Sequence, residues 1–443
     1  MKFWSILKDS FREAIDCKVL YVMAGLSFLI ILFVGSTTFR PVSAKETMQN
    51  LLSGEFLFVT RALQNDPESK NRSAVPPRFE GPFRLRDVRA AKGEMDSPDS
   101  EYLLIVSQDH ASAEEAGKTR RAPELALETL KNLFTFAEQW KLLHIAEIRV
   151  LQAPPEGIRK SNLEPQLVFF QIHTQPTEAT RRLWQHEPAL LFGAVPLHVK
   201  QPLGIMLYVL ASIVLSIGSW VTILVSVIIT AFFIPNMLRK GTVDLLLAKP
   251  ISRWSLLGYK YLGGLFFIFL NTAFAVVGIW AALGLRSGIW ANSFLLMIFV
   301  ITFFFAILYA VSTLFAVMTR SAVVCILMTC GAWFLFFLVG TINQVVDTQQ
   351  QKEIADEVAR HERTSEGTFA SVVKVVHAIT PRTSDLNYLA GKILLSDFLT
   401  GDFASAANLD KTSITWESSV AVSLAFVALM LGLACWRFAA KDY

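Results

Sequence analysis

Six long apolar runs, with no Asp, Glu, Lys, Arg or His in their cores, constrain this chain more than any other feature. They cover roughly 19–39, 203–234, 260–285, 293–319, 321–343 and 418–436. About 20 apolar residues in a helix cross the hydrocarbon core of a bilayer. A single charged residue at a span centre would disfavour insertion by about 2.5–3.5 kcal/mol. Uncharged cores therefore predict spans, and they leave out the residues that build proton relays and voltage sensors. Only 18% of the 443 residues are charged, against about 25% in an average soluble protein, and the mean hydropathy is +0.44. The expected fold class is a mainly α-helical polytopic membrane protein, with six transmembrane helices and an inserted extracytoplasmic α+β domain.

Orientation follows from Lys and Arg, which concentrate on the cytoplasmic side of spans. With the N-terminus inside, the inner segments hold 12 basic residues against 5 acidic ones, and the outer loop 344–417 holds 7 against 11. The insert 40–202 carries 21 of each. The net +4 of the chain is therefore an orientation signal and gives no footprint for nucleic acid. Both termini are expected in the cytoplasm, in a multi-pass protein of the cell membrane.

Residues 1–18 read as an interfacial amphipathic helix. Phe3, Trp4, Leu7, Phe11, Ala14 and Ile15 share one face, and Lys8, Asp9, Arg12, Glu13 and Asp16 the other. Val42-Ser43-Ala44 has the small residues of a signal cleavage site, but the preceding polar region is long and carries three acids. Cys17, Cys325, Cys330 and Cys435 lie in the inner segment or the spans, so no disulfide is expected outside.

The insert 40–202 is large enough for its own core. Strands are expected over 101–106, 145–151 and 166–172, helices over 124–142 and 177–185, and loops over 65–82 and 94–100. Strand order cannot be read from the sequence. In the outer loop 344–417, helical patterns cover 349–363 and 388–399. Residues 369–379 are apolar and end before Pro381. Two or three short helices over the outer mouth are expected.

Two polar constellations sit inside spans. Ser212, Ser216, Ser219, Thr222, Ser226 and Thr230 are spaced by 4, 3, 3, 4 and 4, which places them within about 120° of one helix face. Such a stripe either permits close helix packing or lines a route for a polar solute. Asn271, beside Thr272, reads as an interhelical hydrogen-bonding spot. Gly117-Lys118-Thr119 has the end of a phosphate-binding loop but carries Ser112 where the first Gly belongs. No catalytic motif and no metal-ligand spacing stands out among the seven histidines. No cofactor and no metal are expected in this chain.

The inner segment 235–259 has parts that fit one job. Pro235 closes the second span and Gly241 breaks the chain. Thr242 can cap a short helix with Asp244 in its first turn. Leu245, Leu246 and Leu247 give it an apolar face, and Lys249-Pro250 ends it. Ser252 can cap the next helix. That face either docks a soluble protein or anchors in membrane lipid.

Residues 229–253, Ile-Thr-Ala-Phe-Phe-Ile-Pro-Asn-Met-Leu-Arg-Lys-Gly-Thr-Val-Asp-Leu-Leu-Leu-Ala-Lys-Pro-Ile-Ser-Arg, resemble the coupling segment of ABC-2 type transporter permeases. The branch most similar is that of nitrous oxide reductase maturation and gliding motility permeases. The six spans, the interfacial N-terminal helix and the helical segment before the last span match as well. The family's acid is often Glu where this chain has Asp244, and the insert 40–202 is unusual for simple members. The resemblance implies a permease subunit of an exporter, without nucleotide-binding residues of its own. A second permease subunit, identical or different, and a cytosolic ABC ATPase supplying ATP and Mg are the implied partners. Thr242, Asp244, Leu245, Leu246, Leu247, Lys249, Pro250 and Arg253 would form the ATPase contact, and the substrate is left unknown. Two other classes fit the composition: a membrane-anchored sensor or assembly factor built on the external domain, and a transporter or channel not driven by ATP.

Overall fold

A computed structural model describes residues 19–53, 83–139, 143–153, 155, 166–231, 235, 252–360, 368–399 and 414–440. The expected amphipathic helix 1–18, the loop 65–82, residues 236–251 of the expected coupling segment 235–259, and the tail 441–443 lie outside the described residues.

Each of the six apolar runs holds a helix. They are α1 (Val19–Gly35), α6 (Leu203–Thr230), α7 (Arg253–Ser287), α8 (Met297–Thr319), α9 (Ala322–Arg360) and α12 (Trp416–Ala440). Among the described residues, four stretches are long and apolar enough to cross a membrane: Arg253–Ser287, Asn292–Thr319, Ala322–Asn343 and Trp416–Ala440. α1 and α6 add the shorter apolar stretches Tyr21–Gly35 and Leu203–Ser216. The architecture is mostly helical and polytopic, with sheets between α1 and α6 in sequence.

Two findings shift the expected boundaries. α1 stops at Gly35, because Thr38–Pro41 form strand β1. α9 runs unbroken from Ala322 to Arg360, so the fifth span and the polar helix expected at 349–363 are one element. Neither Gly nor Pro interrupts 341–360, and nothing local ends the helix. Pro381 does act as a stop. It separates α10 (Thr368–Ile379) from α11 (Thr383–Leu399).

The sheet region starts with β1 and α2 (Ala44–Ser53). It continues through β2 (Phe83–Lys92), β3 (Glu101–Asp109), α3 (Ala113–Arg121), α4 (Glu124–Gln139), β4 (Leu143–Leu151) and β5 (Leu167–Pro176). It ends with α5 (Glu178–Leu183), β6 (Gln185–Leu190), β7 (Val195–Pro196) and β8 (Gln201–Pro202). The larger sheet is antiparallel in the order β2-β3-β5-β4. Its buried face carries Leu104, Val106, Phe170 and Ile172, and Leu130 and Phe134 of α4 share that core. Tyr102 stacks on Trp184 with ring centroids 5.6 Å apart. Burial pushes the Tyr102 phenol up to about 12, and its hydroxyl donates to the Ser97 carbonyl at 2.6 Å.

The smaller sheet pairs β1, β6 and β7 in that order, with β8 also on β6. Its chain neighbours explain its place. β1 follows α1 after two residues, and β8 runs directly into α6. One small sheet thus ties both ends of the sheet region to apolar helices. Gly117-Lys118-Thr119 lies within α3, whose N-cap Ser112 accepts from Glu115 N–H. The segment is helix, with no phosphate-binding turn.

Candidate functional site

α6, α8 and α9 leave a cleft of about 500 Å³ between them, and α11 lies over it. Ser212 and Ser216 of the hydroxyl stripe line the α6 wall, with Tyr208 one turn before them and Trp220 one turn after. α8 contributes apolar side chains, among them Val300, Phe304 and Leu308. Thr383, Ser384, Asn387 and Lys392 come from α11, and Lys392 is the one charged side chain in the described lining.

The cleft is polar at one end and aromatic at the other. Trp220 meets Trp333 of α9 edge-on, with centroids 4.5 Å apart, and Phe337 at 5.4 Å. The α11 end instead offers hydroxyl, amide and ammonium groups. Hydroxyls and amides donate and accept, while indole and phenyl faces stack on planar or apolar matter.

Glycine seats α11 at both ends. A Cβ on Gly340 of α9 would collide with Ser384, and one on Gly204 of α6 with the Phe398 carbonyl. The second neighbour is backbone and cannot swing aside. Arg182 of α5 donates to the Asp397 carbonyl at 2.6 Å, and the Asp397 carboxylate accepts from Ser293 N–H at 2.8 Å. That N–H stands just before α8, where a carboxylate is favoured by the helix dipole. At its other end, Arg382 N–H donates to Ser423 of α12 at 3.1 Å. The helix over the cleft is therefore held by the sheet region and by three apolar helices.

Residues 4–443 match the family described as ABC-2 family transporter protein. The chain belongs to that family. It is the membrane permease of an ABC transporter, and the family implies association with an ABC ATPase subunit. A comparison with curated proteins found no match.

In this ABC-2 permease the other expected site residues fall in two places. Asn271 of α7 accepts from the Ser27 hydroxyl of α1 at 3.5 Å, on a helix pairing that does not line the cleft. Ser219, Thr222, Ser226 and Thr230 continue along α6, but their side chains lie outside the described residues. Of the coupling residues, Thr242, Asp244, Leu245, Leu246, Leu247, Lys249 and Pro250 are also outside them.

Arg253 opens α7 directly behind its cap, where the Ser252 hydroxyl accepts from Ser255 N–H at 3.2 Å. Its guanidinium also reaches the Ala439 carbonyl in the last turn of α12, at 3.4 Å. The aromatic floor, Trp220, Trp333 and Phe337, was not singled out in the sequence. Trp220 adjoins Ser219 of the stripe, but nothing local shows that α9 supplies its partners.

Proposed function

We propose that this ABC-2 permease is one half of an exporter, driven by a separately encoded ATPase that docks on a short helix at Thr242–Ala248. The match to the ABC-2 family over residues 4–443 carries this reading. In it, six helices span the membrane, both termini face the cytoplasm, and residues 40–202 form an extracytoplasmic domain. A second permease subunit completes the assembly, and ATP and Mg act in the partner.

The mechanical part follows from α7. It is one 35-residue helix that begins three residues after Pro250. A push on Thr242–Ala248 would meet a rigid rod. Tyr261 stacks on Tyr309 of α8 with centroids 5.0 Å apart and donates to the Ala306 carbonyl at 2.8 Å. Movement of α7 therefore drags α8, and α8 is a wall of the cleft. The cleft serves as part of the substrate path, with Ser212 and Ser216 as hydrogen-bonding positions and Trp220 as a stacking surface. α11 is the element through which the sheet region acts on that path.

Affinity purification of the tagged chain from its host tests the partnership. An ABC ATPase should copurify, and its hydrolysis should respond to the permease. An Asp244→Ala, Leu246→Ala, Arg253→Ala triple variant should lose that coupling while staying in the membrane. Unchanged coupling in the triple variant would remove Thr242–Ala248 as the docking helix.

A further inference from the structure

The turn between β6 and β7 combines a strained backbone with apolar side chains exposed to solvent. Leu191 and Phe192 both adopt left-handed backbone, with φ of 51° and 57°. Bulky residues rarely do so, and such strain persists where the surroundings require it. Both side chains are also exposed, at 57% and 65%. Val195, Leu197 and Val199 follow at alternate positions and are exposed as well.

The height of this turn is fixed by α1 and α7. Phe192 N–H donates to the Ser36 carbonyl at 2.7 Å, one residue past the end of α1. Arg286, in the last turn of α7, donates through Nε to the Gly35 carbonyl at 2.7 Å and places its guanidinium over the Phe192 ring at 5.2 Å. Arg286 is the first charged residue after the apolar run of α7, so it marks the edge of the hydrocarbon. Trp280 and Trp290 pair at the same end, with centroids 4.7 Å apart. Tryptophan at that level is the usual interfacial anchor. Arg40, on β1, comes close to Gly193 at the turn.

We propose that residues 191–199 form a membrane-embedded hairpin, whose apolar side chains enter the lipid interface on the side of the sheet region. The occupant is phospholipid. The turn is continuous with the ends of two apolar helices, the exposed side chains of 191–199 are apolar except His198, and Arg40 and Arg286 flank the turn where headgroup phosphates lie. Lipid removes the exposure of Leu191 and Phe192 and so offsets the strained backbone. The hairpin thereby holds the small sheet, and through it the sheet region, against the bilayer. This rests on α7 being a span, and it is independent of ATPase docking.

Spin-label accessibility in the full chain tests it. Phe192→Cys and Val199→Cys are made separately in a chain whose native cysteines are replaced by serine, together with Glu114→Cys as an exposed reference on α3 and Leu327→Cys on the outside of α9. Each is labelled and reconstituted in phosphatidylcholine–phosphatidylglycerol vesicles. Labels at 192 and 199 should collide more with oxygen than with a water-soluble nickel chelate, as at 327, and the label at 114 should show the reverse. Val199→Cys leaves the strained turn intact, so a disturbed turn at 192 does not decide the result. Nickel accessibility at 192 and 199 equal to that at 114 would put the hairpin in water. Protection from both reagents would put it against protein. Either result overturns the proposal.

Discussion

α8 and the apolar half of α9 have similar composition and opposite surroundings. Their most apolar windows have mean hydropathy 2.8 and 2.5, yet 67% of the first is buried in the protein and only 11% of the second. The difference teaches that hydropathy places a helix in the membrane but does not say what it touches. In lipid, an apolar side chain gains little by exchanging acyl chains for protein, so packing and small residues decide the centre of the bundle. α8 is central because Tyr309, Phe305 and Thr313 are fully enclosed. α9 keeps Val323, Leu327 and Leu335 turned outward.

The largest expected effect is at the buried helix. Tyr309 is stacked on Phe305 as well as Tyr261, so Tyr309→Ala should destabilise the protein by about 3–5 kcal/mol, read by denaturant unfolding in detergent. Gly264→Ala tests the same contact from the α7 side. A Cβ there would stand 2.8 Å from the Tyr309 ring, and overpacking of this kind costs about 1–3 kcal/mol. The two unfolding losses together should be less than additive, since both act on one contact.

Ser216→Trp moves the comparison to the cleft wall. It should lower the transport rate of a reconstituted complex about tenfold or more, equivalent to about 1.4 kcal/mol, while the unfolding midpoint changes little. Equal losses of stability and transport would mark Ser216 as a packing residue.

A smaller effect is expected in the sheet region. His186 is 6% exposed and its Nδ1 lies 2.9 Å from the Trp184 carbonyl. Burial lowers its pKa below the ordinary 6.5. The folded state then binds the proton less readily than the unfolded state. Stability should be fully present above 6.5 and decline as pH falls through that value towards the lowered one. His186→Gln should flatten this part of a melting-temperature profile between about pH 8 and pH 5, and an unchanged slope would assign it to other groups.

The smallest effect belongs to α9. Leu327→Ala, at a side chain 65% exposed, should shift stability by no more than about 0.5 kcal/mol. A cost approaching that of Tyr309→Ala would mean that a second subunit covers this face.

Much of the membrane part was legible because its signals are local. An apolar run without charge reads as a span at any neighbour, Ser252 caps α7 through its own backbone turn, and Pro381 ends a helix by its own ring. β3, β4, β5 and α4 were legible for the same reason, by alternation or helical spacing. β2 was not, because Arg84, Arg86, Arg89 and Asp87 interrupt its apolar pattern. Its partners are non-local: Arg86 reaches Ser107 at 2.7 Å and Asp109 at 3.3 Å on β3. The candidate site was half legible. Ser212 and Ser216 stood out by spacing along one helix, whereas Trp333 and Phe337 join Trp220 only through the packing of α9 against α6.

The sequence by itself determined where the apolar helices lie and that they carry no charge in their cores. Each of these rests on side chains within one or two helical turns. The tertiary structure decided which helix is central, that α11 sits on Gly204 and Gly340 over the cleft, and that Phe192 meets Arg286. Those facts join residues tens to hundreds of positions apart. Close approach and burial are properties of pairs, and no single stretch of chain encodes them.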